Sequence, residues 1–281
     1  MEILIGDNAG FCYGVERAVE TAKKEALNGE IFCLGEIVHN QNVIDSLEKI
    51  GVKFINNIDE AKEKLLIRAH GVTKQIYQKA KERNIELIDA TCPSVLKIHN
   101  IAEEYSNKGY YIILTGKKDH PEVIGIESYC GTKYKIISDK EELVDLFKEI
   151  ENEKNILLIS QTTYSIEKFD EIEQMLKEKV SSRANLEITK TICTSTNNRQ
   201  LEAEKIAKNV DFMIVIGDKR SSNSNKLYGV CCKYCPNVSF ISNSDELDLN
   251  KIKKHQKIGV IAGASTPKED ILKVRELLEG I

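Results

Sequence analysis

Apolar residues in this chain gather into short runs that end in a glycine or a small polar group and then give way to helical spacing. The pattern recurs three times. The first runs are Ile31-Phe32-Cys33-Leu34-Gly35, Tyr111-Ile112-Ile113-Leu114-Thr115-Gly116 and Phe212-Met213-Ile214-Val215-Ile216-Gly217. Each has a polar residue four positions after its glycine, at His39, His120 and Ser221. A helical stretch leads from each to a second apolar run, Val52 to Ile55, Lys135 to Ile137 and Val238 to Ile241. Third runs extend from Leu65 to His70, Ile156 to Thr163 and Ile258 to Ser265, again predicted as strands ending in polar groups. Helices follow, as in the spacing of Ile271, Leu272, Val274, Leu277 and Leu278.

The last predicted element is a strand that delivers a cysteine to a helix start, Glu86 to Cys92 in one copy and Glu187 to Cys193 in the next. The third copy lacks it at its own end, near Ile281. Glu2-Ile3-Leu4-Ile5, leading to Cys12, has the same form, so the N-terminal strand is expected to complete the third lobe. Strands alternating with helices imply mainly parallel sheets with right-handed crossovers. The expected fold is therefore α/β, with three pseudo-repeated lobes over residues 13–92, residues 93–192, and residues 193–281 with 1–12. Ligands in such sheets collect beyond the carboxyl ends of the strands. The polar residues named above lie there, so three lobes are expected to converge on one site.

Composition narrows the classes of function. The chain has 281 residues, 41% of them hydrophobic, and only four prolines, enough for substantial cores. Its 40 basic and 44 acidic residues give a net charge of −4 without a basic stripe, which argues against nucleic acid as a partner. Apolar stretches such as Phe212 to Ile216 fall far short of the roughly 20 residues a spanning helix needs, so no membrane association is expected. The N-terminus lacks the basic and apolar regions of a secretory signal, and a cytoplasmic location is expected. Eight cysteines in such a chain read as reduced thiols, metal ligands or core residues rather than a disulfide framework.

Cys12, Cys92 and Cys193 occupy one equivalent position per copy, between a strand end and a helix start, where backbone N–H groups and the helix dipole favour thiolate. A single buried cysteine is usually an inert core residue; three at equivalent places point to a metal site. Zinc and an iron–sulfur cluster both remain open on the residues alone, since zinc takes a fourth ligand or a water while a cubane on three cysteines keeps one iron free. Cys231-Cys232-x-x-Cys235 suggests a redox or zinc motif, but it falls with Cys130 after the helix, away from the proposed site, and reads as packing or incidental thiols, with a surface metal as the lesser alternative. Cys33 reads as a core residue.

Among the polar residues, His39, His70 and His120 fall at strand ends, with Ser221, Ser222, Asn223, Ser265, Thr162 and Thr163 at comparable places. This set suits a small phosphorylated ligand helped by helix N-termini. Neither G-x-G-x-x-G after the first strand nor a P-loop is present, so side chains are expected to bind the phosphate. Glu122 follows Pro121 at the opening of a helix, where first-turn dipole complementarity is its ordinary role. Beside a cluster it becomes the candidate proton donor. His99 and His255 lie among charged residues and are expected to be solvated.

Gly10-Phe11-Cys12-Tyr13-Gly14-Val15-Glu16-Arg17-Ala18, Gly35-Glu36-Ile37-Val38-His39-Asn40, Arg68-Ala69-His70-Gly71-Val72 and Asp89-Ala90-Thr91-Cys92-Pro93 resemble motifs of the 4-hydroxy-3-methylbut-2-enyl diphosphate reductases. So do His120-Pro121-Glu122-Val123, Gln161-Thr162-Thr163, Ser221-Ser222-Asn223-Ser224 and Gly263-Ala264-Ser265-Thr266-Pro267, in order along essentially the whole chain. One departure is Ser195, where that pattern has alanine before the threonine.

The resemblance implies a trefoil of three α/β lobes around a [4Fe–4S] cluster, one per chain, held by Cys12, Cys92 and Cys193 with an open apical iron. It implies an allylic diphosphate substrate bound by residues matching His39, His70, Ser221, Asn223 and Ser265, with His120 contributing and Ser222 beside them. The substrate hydroxyl would bind the apical iron near Thr162 and Glu122 and leave as water. Either end of the allylic anion would then be protonated, with Glu122 in the proton path and His120 nearby. Isopentenyl and dimethylallyl diphosphates would result, with electrons from a ferredoxin or flavodoxin. Two other readings compete. One is a non-redox condensing dehydratase resembling quinolinate synthase, which would need no electron donor. The other is an iron–sulfur sensor or zinc-stabilised module, which would bind metal without turnover.

Overall fold

The computed structural model describes residues 1–281. In chain order the elements are β1 (Glu2–Ile5), α1 (Tyr13–Ala26), β2 (Ile31–Leu34), α2 (Gln41–Lys49), β3 (Val52–Ile55), β4 (Lys64–Ile67), α3 (Lys74–Glu82) and β5 (Glu86–Asp89). Next come α4 (Pro93–Asn107), β6 (Tyr111–Thr115), α5 (Pro121–Glu127), β7 (Tyr134–Ile137), α6 (Leu143–Glu149), β8 (Asn155–Ser160), α7 (Ile166–Val180) and β9 (Asn185–Ile188). The chain ends with α8 (Thr194–Ala207), β10 (Phe212–Ile216), α9 (Ser222–Tyr234), β11 (Val238–Ile241), α10 (Leu249–Ile252), β12 (Lys257–Ala262) and α11 (Lys268–Glu279). No helix is long and apolar enough to cross a membrane.

The strands form three four-stranded sheets in the orders β3-β2-β4-β5, β7-β6-β8-β9 and β1-β12-β10-β11, and every pairing is parallel. The expected α/β class with three small parallel-sheet lobes is what the chain adopts. β1 pairs with β12 through Glu2–Lys257 to Ile5–Val260, the edge place that β5 holds beside β4 and β9 beside β8. By its internal contacts the chain divides into two compact units. One comprises residues 1–20, 36–50 and 194–281 and holds the sheet of β1, β10, β11 and β12; the other comprises residues 21–35 and 51–193 and holds the remaining two sheets.

Central strands are continuous apolar runs because helices cover both of their faces. Alternate residues of β6 and β8 serve opposite cores. Ile113 and Leu158 pack with Phe169, Ile172 and Leu176 of α7, while Ile112, Leu114, Leu157 and Ile159 pack with Ile98 of α4 and Val123 and Ile126 of α5. In the other unit Ile214 and Ile216 of β10 face Val274 and Leu278 of α11, and Met213 and Val215 face Ala203 of α8 and Leu227 of α9. Each such fully buried aliphatic side chain contributes roughly 1.5–3 kcal/mol. Edge strands β5 and β9 carry polar residues on exposed positions, which ends the apolar run.

The third set of strands is shorter than predicted, ending at Ile67, Ser160 and Ala262. Beyond each end the chain makes the same turn, closed by Gly71 N–H to Arg68 C=O, Tyr164 N–H to Gln161 C=O and Thr266 N–H to Gly263 C=O. His70, Thr163 and Ser265 therefore sit at the same turn position rather than on strands. Gly71, at φ 72°, is held to glycine by its conformation and by a neighbour, because an added Cβ would lie 2.9 Å from His99 Cε1.

His99 is not solvated. It is 2% exposed, its ring stacks on Tyr129 with centroids 4.4 Å apart, and neither ring nitrogen has a hydrogen-bond partner. The charged residues around it in sequence lie on the outer face of α4, whereas His99 lies on the inner face with Val95 and Ile98. Burial pushes its pKa down to about 4, with Asp89 pulling weakly the other way. The folded state thus refuses a proton that the unfolded chain takes up below its ordinary value near 6.5, so His99 costs stability as pH falls through that window. Relative to wild type, His99→Phe is expected to gain about 2 kcal/mol between pH 7 and pH 5, read from denaturation midpoints at the two pH values. His255 is also not fully solvated; it is half-buried with its ring 5.0 Å from Phe212.

Cys231 and Cys232 lie within α9 and Cys235 caps its C-terminus, rather than following the helix. The Cys235 thiol donates to the Asn237 carbonyl at 3.3 Å, just before β11, so this group sits at the N-terminal ends of the strands. Cys130 follows α5, and Cys33 is fully buried in β2.

Candidate active site

Cys12, Cys92 and Cys193 each stand immediately before the first residue of a helix, α1, α4 and α8 respectively. Their backbone N–H groups make one repeated hydrogen bond, to the carbonyls of Ala264 (3.3 Å), Ala69 (3.0 Å) and Thr162 (3.1 Å). Each acceptor lies two residues beyond the adjacent strand, so the threefold sheet pattern extends to the cysteines. All three are partly exposed, unlike four of the other five. Burial pushes the thiols of Cys33, Cys130 and Cys231 up to about 12 and raises that of Cys235, which keeps them protonated.

In the unit that carries Cys92 and Cys193, α5 opens with His120 as its cap and Pro121 as its first residue. His120 Nδ1 accepts the Glu122 N–H at 3.1 Å, which places the ring proton on Nε2. The His70 ring meets it edge-on with centroids 5.3 Å apart. Glu122 is 2% exposed and receives two hydrogen bonds from Thr162, the backbone N–H to Oε1 at 2.6 Å and Oγ1 to Oε2 at 2.7 Å. Burial pushes its carboxyl up to about 7 against the lowering pull of those two bonds. Thr162 also accepts the Cys193 N–H through its carbonyl, so one residue joins a candidate ligand to a carboxyl group poised near neutrality. Thr163, the next residue, accepts from Gln161 at 3.1 Å.

The other unit carries His39, Ser221, Ser222, Asn223 and Ser265. Ser221 caps the 13-residue α9 by accepting the Ser224 N–H at 3.3 Å, as His120 caps α5. His39 departs from this pattern, because its neighbour Asn40 caps α2 by accepting the Val43 N–H at 3.2 Å. Ser265 Oγ donates to the His39 carbonyl at 3.3 Å. Asn223, 4% exposed in the first turn of α9, has a side-chain Nδ2 without a hydrogen-bond partner. A buried donor in that state at a helix N-terminus suits an anionic oxygen.

Three further residues, Glu36, Asp218 and Arg220, carry charge near His39. Glu36 approaches His39 Nδ1 at 3.6 Å and accepts from Arg220 at 2.9 Å, and Arg220 also pairs with Asp218 at 2.9 Å. Burial raises the Asp218 carboxyl, but Arg220 and His39 outweigh it and hold the group below its ordinary value. Glu36 lies inside the Gly35-to-Asn40 motif, which was a usable signal. Arg220 meets it from 184 positions away, and no local pattern announces such a pair.

The LytB protein family model matches residues 3–279. The 4-hydroxy-3-methylbut-2-enyl diphosphate reductase of Clostridioides difficile is 41% identical over 285 residues, covering 100% of both chains. That of Alkaliphilus oremlandii is 40% identical over 273 residues, covering 95% of each. Among solved structures, the E-1-hydroxy-2-methyl-but-2-enyl-4-diphosphate reductase from Plasmodium falciparum superposes with a TM-score of 0.91 at 33% identity, over 99% of this chain and 87% of that one.

Proposed function

The chain belongs to the LytB protein family, and from that premise we propose that it reduces 4-hydroxy-3-methylbut-2-enyl diphosphate to isopentenyl and dimethylallyl diphosphates on a [4Fe–4S] cluster held by Cys12, Cys92 and Cys193. The observation that carries this reading is the path from Cys193 through Thr162 to Glu122. The donor set fits a cluster: three partly exposed thiols at helix starts, each anchored by the same backbone bond, with the buried thiols elsewhere. When bound, the cluster supplies a Lewis-acidic iron and electrons one at a time.

The protein's own groups account for binding and proton delivery. The diphosphate falls to His39, His70, His120, Ser221, Ser222, Asn223 and Ser265, with the N-terminus of α9 adding its dipole. Asn223 Nδ2 and His120 Nε2–H are donors suited to that charge. Removing the hydroxyl as water takes two electrons and two protons. Glu122 Oε1 is occupied by the Thr162 N–H, so the transferable proton belongs on Oε2; Thr162 Oγ1, which donates to Oε2 when the carboxyl is ionised, then accepts from Oε2–H and hands on its own proton. A carboxyl near pH 7 is matched to that task. The reading includes a cytoplasmic location and a ferredoxin or flavodoxin as electron donor.

Anaerobic reconstitution followed by turnover of the hydroxylated diphosphate with a reduced viologen dye tests the proposal. Formation of the two isomeric diphosphates is expected. A fully loaded cluster with no conversion would sink the substrate assignment.

A further inference from the structure

The loop that delivers Cys12 is longer than its counterparts. Six residues separate the end of β1 from Cys12, whereas Ala90 and Thr91 alone separate β5 from Cys92, and four residues separate β9 from Cys193. A longer connection has more conformations to lose when its ligand is fixed. Near its start the loop is tied to β12 by Gly6 N–H to Val260 C=O at 2.9 Å. Between there and Cys12 it is gripped by α8.

Two charged side chains of that helix act on the loop with opposite polarity. Glu202 accepts the N–H of Asp7 at 2.6 Å and of Asn8 at 3.0 Å, one on each carboxylate oxygen. Arg199, 3% exposed, donates from Nη2 to the Gly10 carbonyl at 2.7 Å. Its Nη1 donates to the Ser195 carbonyl at 3.3 Å and to the Ser195 hydroxyl, which is absent where the family pattern has alanine. The loop's own residues are chosen for close approach. A Cβ on Gly6 would lie 2.8 Å from Glu202 Oε2, and Gly10 has φ 102°. An anion holds the amide side of the loop and a buried cation holds its carbonyl side. Charge-assisted hydrogen bonds of this kind are stronger than neutral ones.

We propose that Arg199 and Glu202 are positioning residues for Cys12, fixing its loop in the ligating conformation before iron arrives. The proposal rests on the reading of Cys12 as a cluster ligand. Wild type, Arg199→Gln, Glu202→Ala and Glu202→Gln are reconstituted anaerobically, and three quantities are read: iron release to a chelator, the electron paramagnetic resonance of the reduced cluster, and the melting of the apo chain. Arg199→Gln and Glu202→Ala are expected to release iron roughly tenfold faster than wild type, with an altered resonance, the effect of losing charge-assisted bonds to one loop. Glu202→Gln, which keeps an acceptor, is expected to lie between Glu202→Ala and wild type.

Release at the wild-type rate with an unchanged resonance in both loss variants would overturn the proposal. So would faster release fully matched by a lower apo melting temperature, since that is loss of general stability. Should Arg199→Gln fail to fold, the more exposed Glu202→Ala decides. A wild-type chain that takes up no iron would remove the cluster reading and this proposal together, whereas normal loading with no variant effect removes this proposal alone.

Discussion

Glu122→Gln is expected to lose turnover by about a hundredfold or more while keeping its cluster iron and its affinity for the diphosphate, the range over which a positioned general acid contributes. Glutamine preserves the geometry. Its Oε1 still accepts the Thr162 N–H, while its Nε2–H donates to Thr162 Oγ1 as the protonated carboxyl would, the reverse of the bond that Oγ1 donates to the ionised group, so only the transferable proton is removed. Near-normal turnover would end the proton-donor assignment. In wild type the rate is expected to fall as pH rises through about 7, where the carboxyl ionises, and single-turnover rates measured across that range check it.

The same substitution should raise stability where it abolishes activity. Burial lifts the Glu122 carboxyl from its ordinary value near 4.5 to about 7, so the folded chain keeps a proton that the unfolded chain gives up in that window. The stability this lends is present below 4.5 and is lost as pH rises through 7, an order of about 3 kcal/mol that glutamine does not lose. His99 has the opposite slope over nearly the same range, since its folded pKa of about 4 favours the unfolded chain as pH falls. The two slopes largely offset in wild type. A flat pH–stability profile would therefore conceal two buried groups with opposed strain, one beside the proposed chemistry and one behind the His70 turn.

The repeat made most of the fold readable in advance. Central strands buried on both faces appear as unbroken apolar runs, and the N-terminal strand declares its place beside β12 because it repeats the form of β5 and β9. The strand ends were less legible, since the turns at Arg68, Gln161 and Gly263 arise from backbone bonds that leave no change in hydropathy. His99 reads as solvated in the sequence because its charged neighbours there lie on the other face of α4. At the site, the glycine-plus-four rule located the caps His120 and Ser221 but sits one residue early in the first copy, where Asn40 takes the capping role. Arg220 with Glu36 and Arg199 with Gly10 join positions 184 and 189 residues apart, and only folding brings such partners together.

Cys92→Ser is expected to lose cluster iron and with it turnover, whereas Cys235→Ser keeps both. Serine matches the shape of Cys92 at the start of α4 but holds its proton far more tightly than a thiol, and the thiolate is the ligand form. The backbone bond from Cys92 N–H to Ala69 C=O survives the change, so the loss would report on sulfur rather than on the loop. Cys235 is 2% exposed and its thiol donates to the Asn237 carbonyl at 3.3 Å. A serine hydroxyl can make that bond too, at a stability change of about 1 kcal/mol or less. Iron content and the spectrum of the reduced cluster in the two variants separate the cases. Equal iron loss in both would place a metal on the Cys231, Cys232 and Cys235 group instead, and the threefold repeat would no longer identify the ligands.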